Sequence, residues 1–209
     1  MSDRLPSGVT YRPFEGTDRL ATEGPPVYGE PTSQGWRAWD VRRSKLGAMF
    51  ERGMDTGLEG DETVLYLGAA AGTTVSHVAD FAGPTYAIEF AARPVADLLE
   101  VAAERPNLFV LLEDARSPSE YAHVVEPVDV IVQDVATRDQ AQVANANRQF
   151  LSDDGRLLAV VKARSEDVTA DPETVFNRFL DRLEGYSVLE TERLDPFHDD
   201  HLAVIATPE

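Results

Sequence analysis

From residue 63 onward, short apolar runs alternate with stretches of helical character, and this alternation restricts the fold more than any other feature. The runs are TVLYLG (63–68), TYAIEF (85–90), NLFVLLED (107–114), VDVIVQD (128–134) and GRLLAVVKA (155–163). The intervening stretches predict helices at 73–82, 92–104, 117–125 and 139–150. Because short apolar strands separated by helices are typical of parallel sheets covered on both faces, we expect an α/β fold.

The last part of the chain breaks this alternation. A fifth helix is predicted at 172–184, since Asp171-Pro172 is a helix start signal and Gly185 a stop signal. Two further strands, at about 186–194 and 200–207, have no helix between them. They therefore most simply form an antiparallel pair, which brings the predicted sheet to seven strands.

The N-terminal part of the chain is rich in Gly, Pro, Ser and Thr up to residue 35. Short candidate strands at Val9–Phe14 and Pro26–Tyr28 predict a small β element. We place this element at residues 1–40 and the main domain at residues 41–209. At the start of the main domain Ser44 is a candidate helix cap, so that Lys45 falls in the first helical turn.

The charge of the chain bears on its partners. With 19 Lys and Arg against 37 Asp and Glu, the net charge is −18, a balance that ordinarily argues against nucleic acid. The acidic residues are spread along the chain, however, a pattern that also fits a protein in concentrated salt. Screening there acts over roughly 3 Å at 1 M, so the acidic total leaves an RNA partner possible.

The composition also limits the compartment and the chemistry. The chain has no cysteine, which excludes disulfides and thiolate metal sites. The N-terminus lacks the basic start and apolar run of a secretion signal, and no apolar stretch approaches the ~20 residues that cross a bilayer. We therefore expect a cytoplasmic protein without membrane contact.

The turn after the first main-domain strand, LYLGAAAGTTVSHV, contains Gly68 and Gly72. Glycines at such a turn let a ligand approach the backbone, and the free amides of the next helix attract negative charge. The turn therefore predicts a nucleotide-type ligand. Its spacing departs from the G-x-G-x-x-G dinucleotide fingerprint, so a tight turn that serves packing alone is the alternative.

Polar residues follow the strands at the edge where this ligand would lie. Glu89 ends the second strand, where a carboxylate can accept hydrogen bonds from both hydroxyls of a ribose. Asp114 ends the third strand and could face an adenine amino group. Because the carboxyl ends of parallel strands share one edge, we expect both acids to converge there with Asp134 and Lys162.

Lys162 ends a strand that is otherwise apolar, and Lys45 is the one other lysine in the chain. One interpretation is structural, with Lys162 paired to Asp134. The other is catalytic, because a desolvated amine beside a second cation can act as a base near neutral pH. Arginine cannot do this, since it stays protonated.

Several motifs together resemble one family. LYLGAAAGTTVSHVAD, YAIEF, EDAR, VDVIVQDVATRDQ, VVKARS and PFHDDH, preceded by VYGE and WRAWDVRRSKL, resemble the archaeal fibrillarin-like RNA 2′-O-methyltransferases. The acidic composition suggests a haloarchaeal member. The resemblance implies a seven-stranded Rossmann-like methyltransferase sheet that binds S-adenosyl-L-methionine. It also implies methylation of ribose in rRNA and tRNA, directed by a box C/D guide RNA with a Nop-domain scaffold protein and a kink-turn-binding ribosomal-type protein.

The resemblance also assigns site residues. It places the catalytic centre at Lys45, Asp134 and Lys162, with His201 as a further polar member. Either Lys162 or Asp134 could be the base. The methyl-donor pocket is expected to include Gly68, Ala70, Gly72, Thr73, Thr74, Glu89, Phe90, Asp114, Ala115, Asp134, Val135, Ala136, Thr137 and Gln140.

A local group of arginines and tryptophans suggests where RNA binds. Interleaved arginines and aromatic rings suit phosphate contact and base packing. We therefore expect RNA contacts from Arg37, Arg42, Arg43 and Arg164, near Trp36 and Trp39. The alternative for both tryptophans, Trp39 above all, is that they anchor the core.

Other functions stay open at this stage. His198 and His201 could be proposed as a metal site, but methyl displacement requires no metal and we expect none. Glu89 would also fit a nicotinamide-dependent oxidoreductase. A non-catalytic subunit of the guide particle is a third possibility. Calorimetry with S-adenosyl-L-methionine and with NAD separates these functions.

Overall fold

The computed structural model describes residues 5–209 and contains two sheets. The smaller sheet is antiparallel, with strand order β1-β2-β4-β3. Its strands are β1 (Val9–Phe14), β2 (Thr17–Glu23), β3 (Thr32–Ser33) and β4 (Trp36–Ala38). The N-terminal β element is thus present with β1 as predicted, whereas the other strands were not foreseen in their observed places.

The predicted strand at Pro26–Tyr28 is wrong. These residues form a bend in which the amides of Val27 and Tyr28 donate to the carboxylate of Glu30 at 2.8–3.2 Å. The local acid therefore takes the hydrogen bonds that a neighbouring strand would otherwise accept.

The larger sheet has seven strands in the order β10-β11-β9-β8-β5-β6-β7. The elements of this part of the chain are α1 (Lys45–Glu51), β5 (Val64–Leu67), α2 (Val75–Phe81), β6 (Thr85–Glu89), α3 (Ala92–Ala103), β7 (Leu108–Leu112), β8 (Val128–Gln133), α4 (Gln140–Asn147), β9 (Leu151–Lys162), α5 (Ala163–Glu166), α6 (Pro172–Asp181), β10 (Tyr186–Arg193) and β11 (His201–Pro208). Strands β5 to β9 pair in parallel, while β11 pairs antiparallel with β9 and with β10. The predicted parallel sheet with a terminal antiparallel pair is confirmed.

The predicted helix at 117–125 is wrong. A 3-10 turn at Pro118–Glu120 replaces it, followed by irregular turns. Tyr121 is fully buried, and its hydroxyl donates to Oδ1 of Asn147 at 2.5 Å. Burial of this ring between sheet and α4 thus decides the local conformation, against the helical pattern of the segment.

Apolar cores cover both faces of the large sheet. One core packs α1, α2 and α3 against the sheet, and the other packs α4 and α6. Val9, Leu20 and Trp39 of the N-terminal part lie in the same core as Met49 and Phe81. The division at residue 40 stays a prediction. Within residues 5–209, no helix is long and apolar enough to span a bilayer.

Candidate active site

A cleft of about 390 Å³ lies at the carboxyl edge of the parallel strands. The predicted residues that line it are Gly68, Ala70, Glu89, Phe90, Asp114, Ala115, Asp134, Val135, Ala136, Thr137 and Lys162. They come from the last residues of β6 and β9 and from the loops that follow β5, β6, β7 and β8, as the shared edge of a parallel sheet requires. Five further residues line the cleft and were not predicted from the sequence: Ile88, Pro94, Glu113, Arg116 and Val143.

Gly68 forms the floor of this cleft where β5 ends. Its φ is +85°, and a Cβ built at this position would lie 2.8 Å from the carbonyl oxygen of Asp134. A residue with a side chain would therefore meet both backbone strain and a clash. The glycine is what lets the loops after β5 and β8 approach each other.

The rest of the glycine turn lies behind the cleft. A Cβ at Gly72 would meet Leu98 and Val101 of α3 at 3.0–3.5 Å, so this glycine serves helix packing. Thr74 is buried and hydrogen-bonded to Tyr66. Neither they nor Thr73 belong to the cleft lining. The contacts of Gly72 with α3 fit the packing alternative for the turn, and the donor contacts of Gly72, Thr73 and Thr74 stay a prediction.

Glu89 is held in place by backbone amides at the end of β6. Its Oε2 accepts from Ala70 at 3.0 Å and its Oε1 accepts from Ala91 at 2.9 Å. Since a carboxylate offers about four acceptor positions, capacity remains on both oxygens for hydroxyl groups of a ligand. Two anchored oxygens facing a cleft suit recognition of a ribose diol.

Asp114, after β7, is paired with the newly identified Arg116. The guanidinium contacts both carboxylate oxygens at 2.5–3.0 Å. This side-chain hydrogen bonding from Arg116 holds the pKa of Asp114 below its ordinary value. The acid is thus ionised, and its partner forms part of the cleft wall.

Lys45, Asp134 and Lys162 meet at one end of the cleft. Oδ1 of Asp134 lies 2.6 Å from Nζ of Lys162 and 3.5 Å from Nζ of Lys45. Lys162 also donates to the backbone oxygen of Asp134 at 2.7 Å. Three distant segments supply these groups: α1, capped by Ser44, the loop after β8, and the end of β9. The sequence prediction that two amines flank one aspartate is thus realised in space.

Burial tunes the amine of Lys162. The exposed fraction of this side chain is 13 %, and desolvation lowers its pKa below the ordinary value for lysine. The charge of Lys45 lowers the pKa further, while the charge of Asp134 raises it. The lowered pKa favours release of a proton from the Lys162 amine, which is held in place by Asp134.

His201 lies beside this cluster. It is directly opposite Lys162 in the antiparallel register of β11 and β9, and its Nδ1–H donates to the oxygen of Asp199 at 2.6 Å. Burial lowers the pKa of both His201 and His198. His198 Nε2–H donates to the oxygen of Val41 at 2.9 Å, which ties the loop before β11 to the segment that carries Lys45.

The alternative metal site at His198 and His201 lacks a full ligand set. The two ring centroids are 5.8 Å apart. Among the residues that the structure describes, no group of three or more His, Cys, Asp or Glu is placed to hold a metal ion.

Gln140 lies behind the cleft. It is fully buried, and its side chain bonds both the N–H and the C=O of Lys162, at 2.9 and 3.1 Å. The donor contact of Gln140 stays a prediction, while its contact with Lys162 is observed. Gln140 fixes the backbone from which the Lys162 side chain projects.

Arg37 was predicted to contact RNA, and this prediction is wrong. The side chain is fully buried and forms ion pairs with Glu30 at 2.6 Å and Asp80 at 2.8 Å. No solvent-exposed phosphate can reach it. Trp39 is also fully buried, stacked on His77 with ring centroids 4.7 Å apart, so the core-anchoring interpretation holds for this tryptophan.

The other predicted RNA contacts lie on the surface. Arg42 and Arg43 are exposed beside Lys45, over the rings of Phe197 and Tyr28 respectively. Arg164 follows Lys162 and pairs with Asp200 at 2.8 Å. Their RNA contacts stay a prediction.

A seven-stranded sheet with a terminal antiparallel pair, with a cleft at its carboxyl edge and an anchored acid after the second strand, defines a Rossmann-like methyltransferase. The fibrillarin family model matches residues 15–209. The chain belongs to the fibrillarin family.

Comparisons with individual proteins agree with this family assignment. The fibrillarin-like rRNA/tRNA 2′-O-methyltransferases of Halorubrum lacusprofundi and Haloarcula marismortui are 70% and 68% identical, with 98% of each chain covered. A fibrillarin solved in a fibrillarin/Nop5p complex is 41% identical with a TM-score of 0.91, over 99% of this chain and 100% of that one. Aeropyrum pernix fibrillarin, solved with natively bound S-adenosyl-L-methionine, is 39% identical with a TM-score of 0.85, over 98% and 96%.

Proposed function

We propose that this chain is the catalytic subunit of a box C/D ribonucleoprotein that methylates ribose 2′-hydroxyls in rRNA and tRNA, at positions chosen by a guide RNA. The observation that carries the proposal is the cluster of Lys45, Asp134 and Lys162 at the end of the cleft. The names of the haloarchaeal relatives, rRNA/tRNA 2′-O-methyltransferases, support the reaction and the substrate class.

The residues of the cleft fit S-adenosyl-L-methionine. Glu89 would accept the ribose hydroxyls, and the loop after Asp114 would adjoin the adenine. Because Gly68 lets the loop after β8 lie against the end of β5, Asp134 is held at the edge of the cleft where the donor would bind. The bound donor supplies an electrophilic methyl group on a sulfonium. Asp134 provides the negative charge that suits such a cationic centre.

The protein's own part in the reaction is to align the 2′-oxygen and to take its proton. A ribose hydroxyl is a weak acid, so a base must remove or share that proton during attack. Lys162 fills this role when its amine is neutral, and its lowered pKa makes that form accessible. Lys45 orients the hydroxyl and weakens the hold of Lys162 on its proton. In the rival assignment Asp134 is the base, and both lysines position it.

The chain would act within an assembly. A fibrillarin of similar structure has been solved in complex with Nop5p, which supports a Nop-domain scaffold partner for this chain. A kink-turn-binding ribosomal-type protein would complete the particle. With a net charge of −18, the free chain should bind RNA weakly, so the guide and the partners deliver the substrate. We propose the cytoplasm as the site of action.

The test is a reconstituted methyl-transfer assay in concentrated KCl. The complete chain, both partner proteins and a guide RNA are combined with a matching substrate and methyl-labelled S-adenosyl-L-methionine. Label should enter the 2′-oxygen of the one nucleotide that the guide specifies, and a guide shifted by one nucleotide should move the label. Absence of label with every guide, or label on a base, would contradict the proposed function.

A further inference from the structure

Arg138 is an exposed arginine on the loop between β8 and α4, four residues after Asp134. It lines two surface hollows, of about 220 and 330 Å³. Within the described part of the chain it takes part in no ion pair. Two other arginines line the cleft or these hollows, and both are paired with an acid: Arg116 with Asp114 and Arg164 with Asp200.

The acids nearest to Arg138 have other partners. The carboxylate of Asp139 pairs with Arg182 at 3.2 Å. Glu166 accepts from the backbone amides of Asp139 and Gln140, at 2.9 and 3.1 Å. These contacts leave neither acid as the natural partner of Arg138. The hydrogen bonds from Asp139 and Gln140 to Glu166 also fix the backbone of the loop next to Arg138.

The position of Arg138 relates it to the reacting centre. Thr137 lines both the cleft and the hollow of about 220 Å³, so the two spaces adjoin. Arg138 and Arg164 together line the other hollow, and Arg164 follows Lys162 by two residues. Arg138 thus lies on the loop that follows β8, and Arg164 lies in α5, which directly follows β9.

We infer that Arg138 binds a backbone phosphate of the substrate RNA strand beside the ribose whose 2′-oxygen faces Lys162. The inference rests on the proposed function and names a positioning residue for it. A guanidinium suits a phosphodiester because its planar fork donates two parallel charge-assisted hydrogen bonds. A phosphate contact carries no sequence information, so it fits an enzyme whose target is chosen by a guide.

The first experiment compares R138Q, R138K and R12Q in the reconstituted complex. R12Q removes the same charge from the N-terminal sheet, where Arg12 stacks on Trp36. For R138Q we expect kcat/KM for substrate RNA to fall roughly 10-fold, equally for every guide and target pair. R138K should recover part of the loss, and R12Q should match the wild type. Calorimetric affinity for S-adenosyl-L-methionine should stay unchanged, since Arg138 does not line the cleft.

The salt dependence distinguishes a phosphate contact from a fold defect. The slope of log K for substrate strand against log salt should be shallower in R138Q by about 1, as for loss of one phosphate contact. A structural defect would weaken donor binding and leave this slope alone. An unchanged slope together with an unchanged kcat/KM overturns the inference.

The second experiment replaces single phosphates by neutral methylphosphonates in the wild-type complex. One position next to the target ribose in the substrate strand should slow the reaction as R138Q does, and the two changes combined should cost no more than either alone. If neutralisation in the substrate strand has no effect, or only a guide-strand phosphate matters, the inference is wrong. If the wild-type complex transfers no methyl group at all, the proposed function fails instead.

Discussion

Lys45 and Lys162 both approach one oxygen, Oδ1 of Asp134, at 3.5 and 2.6 Å. Two cations at one carboxylate oxygen compete for the same negative charge, and the nearer one, Lys162, has the lowered pKa. In the proposed mechanism, Asp134 anchors the amine of Lys162, and Lys45 lowers the pKa at which that amine releases its proton.

Replacing Lys162 by arginine tests its role as the base. K162R keeps the positive charge but cannot become neutral, so we expect methyl transfer in the reconstituted complex to fall at least ~100-fold. The single-turnover rate measures this directly. Donor affinity from calorimetry should change by less than a few fold, because the charge next to the cleft is kept.

D134N provides the comparison for the rival base. If Asp134 takes the proton, K162R should retain most of the rate while D134N loses it. Full methylation by K162R would therefore dismiss Lys162 as the base.

The pH dependence of the rate should report the coupling between the lysines. With Lys162 as the base, the rate rises with pH as the amine becomes neutral, and it levels off below the ordinary lysine range. In K45Q the lowering effect of Lys45 is lost, so the pKa of Lys162 rises and the midpoint of the profile should move to higher pH. R43Q, a change of the same charge nearby, should leave the midpoint in place. A K45Q profile that moves to lower pH contradicts the coupling.

The strands of the large sheet could be predicted from the sequence, because each parallel strand is a short continuous run of apolar residues. β6 was expected at 85–90 and lies at Thr85–Glu89, and the apolar run before Lys162 lies at the end of β9. A continuous apolar run indicates a buried strand even when its neighbours in the sheet are unknown. By contrast, the sequence of β2, TDRLATE, is mostly polar and does not indicate a strand by itself. This strand forms by antiparallel pairing with β1.

The site residues that could be predicted from the sequence are those at the carboxyl ends of strands. Glu89 and Lys162 reach the cleft because parallel strands share one edge, a consequence of topology alone. Arg37 was misassigned because its partners, Glu30 and Asp80, come together only in the folded chain. Arg138 went unnoticed for the same reason, since its lack of a partner depends on the pairing of Arg182 with Asp139.

Gly68 should be indispensable to the catalytic cluster. In G68A the new Cβ would press on the carbonyl oxygen of Asp134, which is also the acceptor for Lys162. We expect methyl transfer and donor affinity to fall together, each roughly 10-fold or more. Activity in the complex and calorimetry of the free chain measure the two effects.

Gly16 offers the matched control for this substitution. Its φ is +81°, and a Cβ there would have no atom within 4 Å. G16A therefore carries the same kind of backbone strain, of order 1 kcal/mol, without the clash. It should lower the melting temperature slightly and leave donor affinity alone. Equal donor affinities for G68A and G16A would refute the argument from the clash.

The buried ring of His77 should make folding stability fall in mild acid. Thr22 and Tyr28 bond its two nitrogens, at 2.7 and 3.0 Å. Burial lowers its pKa well below the ordinary 6.5, and the charges of Arg37 and Arg105 add to this. Below pH 6.5 the unfolded chain binds a proton that the folded chain does not, so the free energy of unfolding decreases as pH falls, by up to ~1.4 kcal/mol per pH unit.

The variant H77Q isolates this contribution. Without the imidazole, the free energy of unfolding should vary less steeply between pH 6.5 and 4.5, even though the variant loses hydrogen bonds and is less stable throughout. H123Q, a change at an exposed histidine, should keep the wild-type slope. Denaturant titrations at constant KCl over this pH range give the slopes. An H77Q slope equal to that of the wild type would mean that carboxylates alone set the acid sensitivity, and that the neutral ring between Thr22 and Tyr28 contributes nothing to it.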